Sequence, residues 1–346
     1  MEGIAGLASR APLGLLPVLL FLVTLVYLDS YKLVRLRAIL QMIVAGAGAA
    51  AVSYLVNGSL LGASGMDPAT VTRYLAPFIE EVLKALPIMI LLRMGKVGFL
   101  VDAAIIGFAT GTGFALVENL YYLWALPESS LGLWVVRGFG TALMHGGTTA
   151  ILAITTKLFS ESRESAGLAV AIPGFLLAFG IHSFFNHFLF SPIVSAALII
   201  LILPPLLFFV FVQSERFLQH WLGTGFDLDA ELLETIHSGE FAVSRPGRYL
   251  QSLRDRFDGA TVADMLCYMR LHSELALRAK GILLMRENGF PVKRDAAIDD
   301  SLAELRFLKK SMGRTGELAL APILRSSSRD VWQLGLLEKG AVDSTQ

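Results

Sequence analysis

The amino-acid sequence predicts an all-α fold: a polytopic membrane helix bundle of about seven transmembrane helices over residues 1–213, then a small soluble helical domain over residues 214–346. Three observations predict it. Hydrophobic residues make up 54% of the chain and charged residues 17%, with a mean hydropathy of +0.62, which is too apolar for a soluble chain of 346 residues. The apolar residues gather into runs long enough to cross a bilayer, at 12–28, 38–56, 70–92, 98–124, 133–158, 167–190 and 193–212. From Ser214 onward the composition turns to mixed charge with few aromatics.

The first run is expected to stay as an anchor. Arg10 is the single positive charge before it, and no small-x-small cleavage site closes it ahead of Asp29, so it is a poor signal peptide. One cysteine, Cys267, excludes an internal disulfide. A net charge of zero without a basic arm excludes nucleic acid as an expected partner and leaves the lipid bilayer.

Lys and Arg alternate between the short loops, and this sets the expected orientation. Lys32, Arg35 and Arg37 follow the first run, Arg93 and Lys96 the third, Lys157 and Arg163 the fifth and Arg216 the last, while the intervening loops carry none. The N-terminus is therefore expected outside and the C-terminal domain in the cytoplasm; Arg137, near the outer end of the fifth run, goes against the pattern. In the soluble part, Thr261 opens a helix-period stretch with Val262, Met265, Leu266 and Met269, and Ser301 to Glu304 has capping-box spacing. Two or three amphipathic helices with a packing or regulatory role are expected there, and loose order after Ser326.

The ionisable groups inside the apolar runs carry the functional signal, because a charge at bilayer depth costs about 2.5 to 3.5 kcal/mol on insertion scales. Among them are Glu80, Glu81 and Lys84; Asp102 and Glu118; Arg137 and His145; His182 and His187. At about 1.5 Å rise per residue, Glu80, Glu118, His145 and His182 lie roughly 9 to 16 Å below the outer ends of four different runs. They share one level. Asp102 sits near the cytoplasmic start of its run, where it can reach the interface or pair with Lys96, and reads as structural. Arg137 and His187 lie near the outer boundary, where snorkelling and function are equally open.

Glu80 and Glu81 adjoin each other, and Lys84 lies four and three residues beyond them, on the same helix face. Lys84 can hold one carboxylate as an anion and leave the other free to exchange a proton, as general acid-base chemistry requires. Pro77 and Pro87 flank the motif and can loosen the helix. Gly107 and Gly111 have the four-residue spacing of close helix packing. Glu118 shares a face with Tyr122 and reads as a second acid, a ligand, or a carboxylate satisfied by that tyrosine. His182 and Asn186 are four apart and could donate two hydrogen bonds to an oxyanion. Gly146, Gly147, Thr148 and Thr149 leave space beside His145.

The ordered set Glu80-Glu81-x-x-Lys84, Gly111-x-Gly113-Phe114-Ala115-x-x-Glu118-Asn119-x-x-Tyr122, His145 and His182-x-x-x-Asn186 resembles the PrsW family of intramembrane peptidases and, more distantly, the type II CAAX prenyl endopeptidases. In the CAAX relatives an arginine follows the glutamate pair, whereas Lys84 fits the PrsW pattern. The resemblance implies an intramembrane endopeptidase in which Glu80 or Glu81 activates water, His145 assists, and His182 with Asn186 stabilises the oxyanion. It also implies a bacterial cell-membrane protein whose partner is a single-pass, membrane-anchored substrate, of the kind that anti-sigma factors are for site-1 proteases of this family, cut on the extracytoplasmic side.

No cofactor is expected, although Glu80, Glu81, Glu118, His145 and His182 include enough donors for zinc; a set of Glu81, Glu118, His145 and His182 would serve. No His-Glu-x-x-His pair fixes two ligands on one helix. The competing reading is a transporter or proton-coupled carrier, which also uses buried Glu, Lys and His. It calls for inverted repeats with broken helices, and the sequence has no convincing internal repeat.

Overall fold

The computed structural model describes residues 2–162, 167–292, 295–324 and 328–340; Arg163, one of the loop charges used above, lies outside the described residues. Among the described residues every regular element is helical. The chain divides into two compact units, Met1–Glu215 and Arg216–Gln346.

The first unit holds seven main helices: α1 (Glu2–Leu28), α2 (Leu36–Ser64), α3 (Ala76–Arg93), α4 (Leu100–Ala125), α5 (Leu143–Ser162), α6 (Ile172–Asn186) and α7 (Pro192–His237), the last of which carries the chain into the second unit. All the expected apolar runs fall on helices. Five of the described helices, α1, α2, α4, α7 and the stretch Leu168–Asn186 containing α6, are long and apolar enough to cross a membrane. The third and fifth runs differ in two physical respects. Each is interrupted by a π-helical segment, Val71–Leu75 before α3 and Arg137–Ala142 before α5. In addition, α3 carries Glu80, Glu81, Lys84 and Arg93, and α5 carries Gly146, Gly147, Thr148, Thr149 and Lys157.

Helix α4 is the centre of the bundle. In its apolar window 83% of residues are buried, against 22 to 39% in the other four spans; a helix apolar on every side packs inside a bundle. Lipid tails are as apolar as leucine, so close backbone approach rather than water exclusion drives these contacts. A Cβ on Gly111 of α4 would come within 2.2 Å of the His145 carbonyl oxygen of α5, and one on Gly113 within 1.9 Å of that of Ile43 in α2. Leu20, Val44, Leu201 and Phe208 point outward, as a lipid-facing surface requires.

Asp102 does not pair with Lys96. It is buried, and its Oδ2 accepts the backbone N–H groups of Gly98 at 2.8 Å and Phe99 at 3.3 Å, closing the N-terminus of α4.

In the second unit, α8 (Gly259–Glu287), α9 (Ala296–Leu320) and α10 (Ser328–Gly340) pack around Met265, Met269, Leu275, Leu305 and Leu308. The helix starts lie earlier than the sequence suggests. Asp258 caps α8 by accepting the Thr261 N–H at 2.6 Å. Asp295 caps α9, which places Ser301 and Glu304 inside the helix. Helix α10 buries Trp332, Leu336 and Leu337; of the stretch expected to be loosely ordered, residue 327 and residues 341–346 lie outside the described residues.

Candidate active site

Four helices deliver the ionisable groups to one end of the bundle. Glu80, Glu81 and Lys84 lie near the N-terminus of α3, Glu118 near the C-terminus of α4, His145 at the start of α5 and His182 near the end of α6. Helices that alternate in direction bring these ends together.

Lys84 and Glu81 are both fully buried, and Nζ lies 2.5 Å from Glu81 Oε1. An uncompensated charge here would be costly, so the pair forms across one helical turn. The choice left open by the spacing is thereby made: Lys84 holds Glu81. The ammonium also lies 3.2 Å from His145 Nδ1 and 4.8 Å from the centre of the Phe114 ring.

The two imidazoles are turned by their neighbours. An ammonium only donates, so His145 Nδ1 accepts from Lys84, and Nε2 carries the hydrogen that goes to Glu118 Oε2 at 3.1 Å. His182 Nδ1 donates to Glu81 Oε1 at 2.8 Å, which leaves Nε2 as a lone pair facing Glu80 Oε2 across 3.7 Å. The rings meet edge to face, 4.8 Å apart. A carboxylate behind each imidazole, fixing its tautomer, is the usual support of a reactive or metal-binding histidine.

Glu118 is satisfied by Arg137 and His145 rather than by Tyr122. Arg137 Nη2 lies 3.2 Å from Glu118 Oε2, off the hydrogen-bond direction, so this contact is coulombic. Its Nε donates to Asn119 Oδ1 at 2.9 Å, its guanidinium lies 3.8 Å over the Tyr122 ring, and Asn119 donates to the Gly14 carbonyl at 2.7 Å. Three carboxylates therefore meet two permanent cations. Among the described residues Glu80 has no Lys or Arg partner, and its side chain is 14% exposed, against 0% for Glu81.

Asn186 stands apart from this cluster. Its Nδ2 donates to the Thr72 carbonyl at 3.0 Å, and Ser183 donates to that of Arg73 at 2.6 Å, so the end of α6 is tied to the π-helical segment before α3. With His182 Nδ1 committed to Glu81, the expected His182 and Asn186 donor pair is not formed. The room expected beside His145 is filled as well: a Cβ on Gly146 would meet the Phe108 ring at 2.6 Å and one on Gly147 the Leu203 side chain at 2.6 Å. A cavity of about 220 Å³ between α5, α6 and α7 is lined by Met144, Ile181, Phe184 and Leu203 among others and by none of the ionisable groups.

One oxygen of Glu80 and one nitrogen each of His145 and His182 lie within 4.8 Å of one another. The donors are two imidazoles and a carboxylate, a donor set that catalytic zinc sites use. The lone pair of His182 and the unpaired carboxylate of Glu80 fit such an ion, whereas the Nδ1 lone pair of His145 is taken up by Lys84 and would have to be released from it. This set differs from the expected one, because Glu81 and Glu118 bond to the outer nitrogens of the histidines instead.

The sequence reading did not place Arg137 and Asn119 in this cluster. Asn119 lies inside the quoted motif, next to Glu118, and Arg137 was the charge that broke the loop pattern; together those signals could have found them.

A family model described as PrsW family intramembrane metalloprotease matches residues 34–213. No curated protein and no solved structure matches the chain.

Proposed function

The chain belongs to the PrsW family of intramembrane proteases, and from that premise we propose that it hydrolyses a peptide bond in a single-pass membrane protein with water activated at Glu80. The observation that carries this reading is Glu80 itself. It is the carboxylate of the cluster without a cationic partner, and it faces the lone pair of His182 across 3.7 Å. A water between the two donates one hydrogen to each.

Glu80 takes a proton from that water as its oxygen adds to the scissile carbonyl carbon. The oxyanion develops beside Lys84, whose charge favours it. Collapse of the intermediate breaks the C–N bond, and the proton held by Glu80 passes to the departing amine. Glu81 holds Lys84 in place and fixes the tautomer of His182, and Glu118 fixes the tautomer of His145. Asn186 and Ser183 hold α6 against the start of α3.

The triad of Glu80, His145 and His182 supports a second chemistry at the same site. A divalent cation bound there would supply Lewis acidity toward the carbonyl and a more acidic water. Glu80 is then a ligand, and Glu81 and Glu118 orient the two ligand rings. Metal content of the purified protein, with activity before and after exhaustive chelation, separates the two chemistries.

The loop charges support an outside N-terminus, a cytoplasmic C-terminal domain and a reaction in the outer half of a bacterial cell membrane. A membrane-anchored anti-sigma factor is the substrate proposed from family resemblance. Proteomics of membrane-protein fragments from cells with wild-type protein or the Glu80→Gln, Glu81→Gln double variant tests this reading. Fragments released by wild type alone name the substrate; identical fragment sets contradict the proposal.

A further inference from the structure

We infer that Arg137 is a positioning residue for the reaction, acting through Glu118 on His145, and that α1 buttresses it through Asn119. This rests on the peptidase reading above.

Arg137 begins the π-helical segment Arg137–Ala142, and π-helical turns inside α-helices are frequent at functional sites. The Arg137 side chain is 11% exposed, and three of its faces are engaged: Glu118 against Nη2, Asn119 against Nε, and the Tyr122 ring beneath the guanidinium. A snorkelling arginine would reach for headgroups. This one is turned inward, onto two successive residues of α4.

The relay to the site is short. The same Glu118 Oε2 that Arg137 approaches at 3.2 Å accepts from His145 Nε2 at 3.1 Å. Without the guanidinium Glu118 would lack a permanent cation, and its carboxylate could turn toward Lys84, which lies 3.2 Å from the other nitrogen of His145. Arg137 therefore keeps Glu118 behind His145 and keeps Lys84 for Glu81.

The guanidinium is in turn held by α1. Asn119 is buried and bridges Arg137 Nε to the Gly14 carbonyl. A Cβ on Gly138 would come within 1.9 Å of the Leu13 carbonyl oxygen, and one on Gly14 within 2.8 Å of the Trp134 ring, so α1 meets the backbone of the segment around Arg137 at Gly138 and the Trp134 side chain at Gly14. Helix α1 precedes the matched residues 34–213, so this brace is a contribution from outside the family match.

The test uses Arg137→Met, Arg137→Lys, Glu118→Gln and the Arg137→Met, Glu118→Gln double variant of the full chain, reconstituted with a membrane-anchored peptide substrate. Expected for Arg137→Met is a loss of about 10- to 100-fold in kcat with KM within about twofold, the range of outer-shell partners of reactive histidines. Arg137→Lys recovers part of the loss, and the double variant is no slower than the worse single one. Full kcat in Arg137→Met, no advantage of lysine over methionine, or losses that multiply in the double variant would overturn the inference.

The same four proteins are also unfolded thermally in detergent. Midpoint losses that do not add between the two sites support the contact, and additive losses overturn it. A wild-type protein that cleaves nothing contradicts the peptidase reading, while the unfolding cycle still decides whether Arg137 and Glu118 act together.

Discussion

Lys84 Nζ lies 2.5 Å from Glu81 Oε1, with neither side chain accessible to solvent, and this bond sets two adjacent glutamates apart. Glu81 becomes a fixed anion that also aligns His182. In the proposed mechanism Glu80 is the one left to the reaction.

Glu81→Gln should destabilise the protein as well as silence it. Removing one partner of a buried ion pair leaves the other uncompensated, at a cost of about 3 to 5 kcal/mol. Thermal unfolding in detergent should show a clearly lowered midpoint for Glu81→Gln, and a midpoint close to wild type for Glu80→Gln. Equal midpoints for the two variants would contradict the assignment of Lys84 to Glu81.

Lys84→Met should be at least as damaging alone, because it strands Glu81. Combined with Glu81→Leu it should lose less than the sum of the single changes, since the pair leaves together. A strictly additive double variant would mean that the two charges do not depend on each other.

Gly111→Val should abolish activity without touching an ionisable group. Its Cβ would meet the His145 carbonyl oxygen at 2.2 Å, so α4 and α5 must separate and carry Glu118 away from His145. Wild-type cleavage by this variant would show that the close approach is not needed.

Asn186→Ala distinguishes an anchor from an oxyanion donor. Loss of its bond to the Thr72 carbonyl should lower stability by about 0.5 to 1.5 kcal/mol and activity only modestly. A fall of about 100-fold or more in kcat, the loss typical of an oxyanion donor, would restore Asn186 to the reaction.

The membrane bundle and the convergence of Glu80, Glu118, His145 and His182 were legible in the sequence, because long apolar runs and costly intramembrane charges leave plain signals. The Glu81 to Lys84 bond was visible only as a choice, since spacings of three and four are equivalent until tertiary neighbours such as His182 decide. Arg137 and Asn119 left only indirect signals, a charge against the loop pattern and a place beside Glu118, for another reason. Their partners come from α1, α4 and a π-helical turn, and neither the turn nor contacts across 105 residues, as between Asn119 and Gly14, leave a periodic trace. The glycines after His145 misled, since they admit Phe108 and Leu203 from other helices rather than a substrate.

The division of labour between the glutamates is tested most directly by single-turnover cleavage of a reconstituted membrane-anchored substrate by Glu80→Gln protein whose unfolding midpoint matches wild type. A loss of about 100-fold or more in the cleavage rate is expected from removing a general base. Cleavage at the wild-type rate would contradict a reactive role for Glu80.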